Sequence, residues 1–324
     1  MGCAAPIQST RYDAGCGPVP AEGTTRGRIG SAIARESTGG GRTVAHVTSN
    51  TLADFLLPTG FECPRPSAVL REGSAVLEAG RYAWRATAER RARRSTPYAA
   101  RQVSRHGDPV ILVPGFLAGD GTLALMAKAL RAQGFRTYRS QIHANVGCTL
   151  NAAAQLETRL ESIAMRRGSR VQIVGHSLGG MLARGIAVRR PDLVSNIVTM
   201  GSPMLAPGAH HRSLATSVDL LVRLSRAGVP GLMSEECVAG SCARQSFGES
   251  RQPLAPDVGF TAVYSRRDGI VDWRACVDPT ARAVEVTASH LGMAFDPRVI
   301  DVVLGSLLRS SEVSALEVDR GKSA

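Results

Sequence analysis

From residue 170 to residue 186 the chain reads RVQIVGHSLGGMLARGI. A burst of branched apolar residues runs straight into Gly175-His176-Ser177-Leu178-Gly179-Gly180 and then into a helical pattern, with no loop between. A strand that becomes a helix so abruptly needs a sharp turn. The glycines flanking Ser177 meet that need on steric grounds, since side chains there would clash where helix and strand pack closely. A serine held in such a turn projects its hydroxyl from the end of the strand. The helix that follows aims its N-terminus at the same place and favours negative charge there. The spacing therefore constrains fold and chemistry together: an α/β sheet with Ser177 at a strand's carboxyl edge as a candidate nucleophile.

The same rhythm extends in both directions. Pro109–Val113 (PVILV) is a short, wholly apolar strand that ends at Pro114-Gly115. The pattern then predicts a helix over 123–130, a strand over 135–138, a helix over 150–165 and a strand over 171–174. A helix over 178–188 and strands over 197–200, 259–264 and 283–286 follow, and a helix over 299–308 closes the series. Short apolar strands alternating with longer helices imply βαβ units, hence an α/β fold with a mostly parallel sheet covered by helices on both faces. The rhythm breaks over 203–258, a stretch too long for an ordinary loop. It is partly helical at 214–224 and reads as a cap inserted above the sheet. Its Leu214, Leu220, Leu221, Leu224, Val229 and Leu232 either line an acyl pocket or pack on the core.

The sheet domain is placed at 107–310, with a flexible tail over 311–324. Ahead of it, residues 1–65 are rich in Gly, Pro, Ser and Thr without periodicity and read as disordered. Residues 66–106 read as a basic N-terminal helix leaning on the main domain, with Val69, Leu70, Val76, Leu77 and Tyr82 at loose helical spacing.

A serine hydroxyl needs a base, and the base needs an orienting acid. His290 follows the strand at 283–286 and precedes the last helix, which puts it on a loop at the carboxyl edge as the candidate base. His176 adjoins Ser177, but its side chain is expected to diverge from the nucleophile; His106 precedes the first strand, at the wrong end of the sheet. His143, His210, His211 and His46 are the remaining histidines. Asp268, before Gly269 and just past the strand at 259–264, is the candidate acid. Asp272 reads as the N-cap of a short helix beginning at Trp273, and Asp278, before Pro279, as a turn residue. Oxyanion donors are expected from the backbone N–H of Leu178 and from that of Phe116, where Gly115 lets the loop after the first strand fold over the site.

The segments PVILVPGFLAGD, VGHSLGGMLAR, YSRRDGIVDWRAC and SHLGM, in this order, resemble the α/β-hydrolase family, in particular its lipase and esterase branch and a bacterial, actinobacterial-type group of lipase-like proteins. The resemblance covers about residues 107–309. It implies an α/β-hydrolase fold and a serine hydrolase cleaving carboxylic esters through an acyl-serine intermediate, with Ser177, Asp268 and His290 as catalytic residues. An acyltransferase or thioesterase using the same residues, and a catalytically silent binding protein of this fold, are the alternatives. Many bacterial lipases carry His-Gly in the oxyanion loop, where this chain has Pro114-Gly115; the backbone donor survives that change. The implied substrate is a small-molecule or lipid ester, and the chemistry asks for no metal and no organic cofactor.

Composition adds exclusions. The formal net charge is +12, but much of the excess lies in one arginine-rich stretch, from Arg81 to Arg105, with Glu89 as its single acid. That stretch offers a peripheral membrane or polyanion contact; a solvated helix face in an arginine-rich chain is the preferred reading, and no nucleic-acid partner is expected. The seven cysteines include no C-x-x-C pair, and no histidine pair stands at finger spacing, so no structural zinc site is expected. Cys237 and Cys242 are close enough in sequence to close a small disulfide loop in an oxidising compartment. No apolar run is long enough to span a membrane. The N-terminus lacks the charged start and apolar core of a secretory signal, so a cytoplasmic location is expected if Met1 is the true start, and the cell envelope or secretion if it is not.

Overall fold

Successive side chains of a strand point to opposite faces of its sheet, so a strand buried on both sides needs apolar residues throughout. β1 (Pro109–Val113) satisfies this along its whole length. Val110 and Leu112 face one apolar cluster, and Ile111 and Val113 face another. In the computed structural model, which describes residues 55–95 and 109–322, the sheet has six strands: β1, β2 (Arg136–Arg139), β3 (Val171–His176), β4 (Val194–Met200), β5 (Gly259–Tyr264) and β6 (Arg282–Glu285). Their order is β2-β1-β3-β4-β5-β6, and every neighbouring pair is parallel. The expected α/β architecture with a parallel sheet is the one the chain adopts.

Helices cover both faces. α2 (Ala124–Ala132) brings Met126 and Leu130 to the face of Val110 and Leu112, and α8 (Pro297–Lys322) brings Val299, Val303 and Leu307 to the same side. α3 (Thr149–Arg167) and α4 (Leu178–Arg189) cover the other face with Leu156, Leu160, Ile163, Leu182 and Ile186. α3 stops at Gly168, which takes the left-handed conformation at φ 64°. α8 runs to Lys322, past the boundary expected near residue 308, so the expected flexible tail is helical over most of its length.

β5 and β6 are joined without a long crossover helix, through a 3₁₀ turn at Trp273–Cys276 capped by the Asp272 carboxylate, which accepts the Arg274 N–H at 3.1 Å. That is the capping role expected of Asp272. The long segment between β4 and β5 carries α5 (Arg212–Arg226), α6 (Glu235–Val238) and α7 (Ser241–Arg251).

Ahead of the sheet, a 3₁₀ helix at Pro66–Ser74 leads into α1 (Ala75–Ser95). Tyr82 of α1 packs against the cluster formed by α2, α8 and the sheet. Arg81 bonds Asp296 at 2.9 Å and Arg85 bonds Asp301 at 2.8 Å, so these two arginines of the basic stretch serve the fold. Residues 96–105 of that stretch lie outside the described residues, as do residues 1–54. Residues 55–65, expected to be disordered, are placed: Leu56 is buried, its carbonyl accepts the Gly208 N–H, and Leu57 and Phe61 pack on Ala206, Ala209 and Ala275. Glycine and proline content hid this because the four apolar side chains Phe55, Leu56, Leu57 and Phe61 are too few to show a period. No helix among the described residues is long and apolar enough to cross a membrane.

Candidate active site

In an open parallel sheet the carboxyl ends of the strands collect the ligand-binding loops, above all where strand order reverses direction. Here that reversal lies at β1, between β2 and β3. The loop leaving β1 and the turn leaving β3 therefore meet. Ser177 sits between β3 and α4 with φ 53° and ψ −123°, a conformation that costs a non-glycine residue roughly 1–3 kcal/mol. Its N–H donates to Met200 O at 2.8 Å, which ties the strained turn to the end of β4. Gly179 lets α4 start this close to the sheet: a Cβ there would lie 2.3 Å from Val113 O. Gly115, in the loop after β1, comes so near Ser177 that a Cβ on it would stand 3.0 Å from the serine Cβ. Phe116 and Leu178 flank Ser177 in the wall of one cavity, and among the described residues neither backbone N–H is engaged by another group.

The loop leaving β1 is held from beneath by Asn145, which is buried. Its Nδ2–H donates to Pro114 O at 3.0 Å, its carbonyl accepts the Leu117 N–H at 3.1 Å, and its own N–H donates to Ala118 O at 2.9 Å. Leu117 takes φ 59° within this clamp.

Asp268 and His290 come together after β5 and β6. His290 Nδ1 lies 2.7 Å from Asp268 Oδ2, both side chains almost wholly buried. Asp268 Oδ1 accepts the N–H groups of Ile270 and Val271, each at 2.8 Å, so the carboxylate has one fixed orientation. The pair stands against Gly201, where a Cβ would be 3.0 Å from His290 Nδ1 and 3.3 Å from Asp268 Oδ2. Gly201 follows Met200, the acceptor of the Ser177 N–H, so serine, histidine and aspartate surround the end of β4. Burial pulls the His290 pKa down; the Asp268 charge and hydrogen bond, with the Glu72 charge behind them, outweigh it and hold the imidazole above its ordinary value.

Ser177, Phe116 and Leu178 open into a cavity of ≈ 190 Å³ walled mostly by apolar side chains, among them Leu56, Met181, Leu214, Val218, Met233 and Phe247. Of the leucines and valine considered for that wall, only Leu214 reaches it, whereas Leu220, Leu224 and Val229 are exposed. α5 turns Leu214, Ala215 and Val218 inward, a narrower stripe than leucine content suggests.

Residues 150–227, from α3 through α5, match the family model described as a PGAP1-like alpha/beta domain. A triacylglycerol lipase of Vibrio cholerae is 31% identical over 140 residues, a span that covers 41% of this chain and 40% of that protein. The crystal structure of mature Bacillus licheniformis lipase BlEst2 is similar with a TM-score of 0.51 at 14% identity, covering 64% of this chain and 94% of that one. The propeptide form of the same lipase gives 0.50 at 15% identity over 63% of this chain and 50% of that one. This is the α/β-hydrolase superfamily fold.

Within this α/β-hydrolase frame, four buried polar residues brace the site without any signal in the local sequence. Glu72, in the 3₁₀ helix before α1, accepts the N–H groups of Gly269 (2.9 Å), His290 (3.0 Å) and Leu291 (2.9 Å). It thereby joins the loop of Asp268 to the loop of His290. Glu78 of α1 accepts the Ser289 N–H at 2.9 Å and its hydroxyl at 2.6 Å. His176 packs its ring on that of His290, centroids 4.8 Å apart, and its Nε2 lies 2.9 Å from His290 O. A carbonyl only accepts, so Nε2 carries the proton; burial, then the neighbouring His290, push the His176 pKa down to about 3 and keep it neutral. The expectation that His176 diverges from the nucleophile omitted this second contact. Asn145 is the fourth. His143 is exposed, His211 bonds Ser213 and Pro66 O, His210 lines the cavity, and His46 and His106 lie outside the described residues. The disulfide considered for Cys237 and Cys242 is not formed; both are thiols.

Proposed function

We propose that the chain is a serine hydrolase of carboxylic esters that works through an acyl-serine intermediate. Ser177 Oγ attacks the acyl carbonyl while His290 Nε2 takes its proton. The carbonyl oxygen gains negative charge and is met by the N–H groups of Phe116 and Leu178; loss of one such donor costs about 3 kcal/mol of transition-state stabilisation. As the tetrahedral intermediate collapses, His290 returns the proton to the leaving alcohol. Asp268 accepts the Nδ1–H throughout, fixing the tautomer and stabilising the imidazolium. Water, deprotonated by His290, then releases the acid from Ser177. Residues 203–258 act as the cap, and the apolar walls beneath it favour an apolar acyl group, of a small-molecule or lipid ester.

The observation that carries this reading is the buried Asp268–His290 pair, at 2.7 Å, packed around the strand end to which the strained Ser177 is bonded. The partial likeness to a triacylglycerol lipase supports the same substrate class. A fluorophosphonate probe followed by mass mapping tests it: the expected result is one adduct at Ser177 in the folded chain. Ser177→Ala is expected to lose the adduct and about 10⁴-fold or more of ester hydrolysis. An unlabelled Ser177 in folded wild-type protein overturns the reading. A series of p-nitrophenyl esters then separates lipase from esterase, short-chain preference without interfacial activation counting against lipase.

A further inference from the structure

Cys148 is remote in sequence from Cys237 and Cys242, and the three belong to three elements, yet their sulfurs all lie within 4.8 Å of one another. Cys148 is the residue that opens α3, Cys237 lies in α6 and Cys242 in the first turn of α7. We propose that these three thiols form a binding site for one thiophilic d¹⁰ cation, Zn²⁺ or Cu⁺, which clasps the α6–α7 segment to the start of α3 at the wall of the cavity.

Three features of the geometry support it. A disulfide uses two sulfurs, whereas three converge here; metal–sulfur bonds of about 2.3 Å set neighbouring sulfurs about 3.8 Å apart, a spacing compatible with sulfurs that all lie within 4.8 Å of one another. Thiolate-rich sites select soft cations of this kind over hard ones. Two helices of good length, α3 and α7, begin at the cluster and direct their N-terminal partial charges at sulfurs that must become anionic. Binding releases one proton from each thiol that becomes a ligand, and no electron changes hands.

The cluster is also placed where a clasp matters. The Met233 N–H donates to Val146 O at 2.8 Å, so the segment leading to Cys237 already docks beside Cys148. Cys237, Met233 and Thr149, the neighbour of Cys148, all line the cavity that contains Ser177. Fixing α6 and α7 to α3 thus fixes one wall of that cavity. The metal site stands independently of the ester chemistry; only its effect on turnover rests on the proposed function.

The test uses the full chain, reduced and handled without oxygen. Zn²⁺ and, in a separate arm, Cu⁺ against a competing chelator are titrated, with Co²⁺ as a spectroscopic surrogate for zinc. The expected results are one ion per chain, a sulfur-to-cobalt charge-transfer band and a higher Tm. Bound metal is also expected to protect Cys148, Cys237 and Cys242, but not the exposed Cys63, from alkylation. Cys148→Ser, Cys237→Ser and Cys242→Ser should each weaken binding at least 10-fold with the circular dichroism unchanged, while Cys63→Ser and Cys276→Ser leave it intact. The alkylation pattern of the wild-type chain decides the question even where a substitution impairs folding. The proposal is overturned by sub-stoichiometric binding to the reduced folded chain or by binding that survives the triple substitution. Isolation of the chain with two of these sulfurs in a disulfide, without metal, also overturns it. None of these readouts requires ester hydrolysis, so failure of the clasp and failure of the hydrolase reading are seen separately.

Discussion

His290 has one carboxylate at its ring and a second at its backbone. Asp268 takes Nδ1, and Glu72 collects the N–H groups on both sides of the Asp268–His290 contact. Both charges favour the imidazolium, and together they outweigh burial. On the proposed function, His290 must be neutral to accept the Ser177 proton, so ester hydrolysis is expected to be lost as pH falls through the His290 pKa. Since that pKa is raised, the acidic limb of kcat/KM is expected above pH 6.5, the ordinary histidine value. Glu72→Gln removes a charge and one acceptor, so it should move this limb to lower pH and reduce kcat/KM about 10-fold or more. An acidic limb unmoved by Glu72→Gln would show that Glu72 acts on the loops alone. The places of Ser177, Asp268 and His290, each just past the end of a strand, were legible in the sequence because apolar strands and chain order mark them. Glu72 was not, because its partners lie about two hundred residues away and a lone glutamate on a short helix carries no local signature.

The turn from β3 into α4 depends on close approach. At Gly179 a Cβ would fall 2.3 Å from Val113 O and 2.6 Å from Pro114 O, both backbone atoms that cannot swing aside. Gly179→Ala is therefore expected to push α4 off β1 and destabilise the chain by about 1–3 kcal/mol, read from urea unfolding. It should also slow fluorophosphonate labelling, because the same displacement moves Ser177 relative to Gly115. Gly248, exposed in α7, where an added Cβ would meet nothing within 4 Å, is the contrast: Gly248→Ala should stabilise by about 0.5–1 kcal/mol. Equal effects at the two positions would contradict the close-packing argument. Strand and helix positions here followed from apolar period. The inward face of α5 did not, because Leu220 and Leu224 are as apolar as Leu214 and only the packing of neighbours decides which side is covered.

At the scale of the molecule, the segment before the sheet is part of the site's support. Glu72 and Glu78 hold the loops of Asp268 and His290, Tyr82 joins the core, and Arg81 and Arg85 pair with Asp296 and Asp301 around the start of α8. Removing residues 1–95 should lower the Tm and cut ester hydrolysis by about 10²-fold or more, as expected when reacting groups lose their positions. Adding residues 66–95 as a separate peptide should restore part of both. Full activity in the shortened chain would show that the two loops hold their geometry unaided.

The order of apolar strands and helices, the glycines around Ser177, and the placing of Asp268 and His290 after the next strand ends were all contained in the sequence. Each is a local or sequential property: period, steric need and chain order survive without knowledge of distant contacts. Tertiary structure alone decided which remote groups complete the site. Glu72, Glu78 and Asn145 reach it from segments with no motif, His176 turns back onto His290, and Cys148 meets Cys237 and Cys242 across the cavity wall. The physical reason is burial: a carboxylate or thiol takes its role from whatever the fold brings within bonding distance, and that distance is set by how whole elements pack.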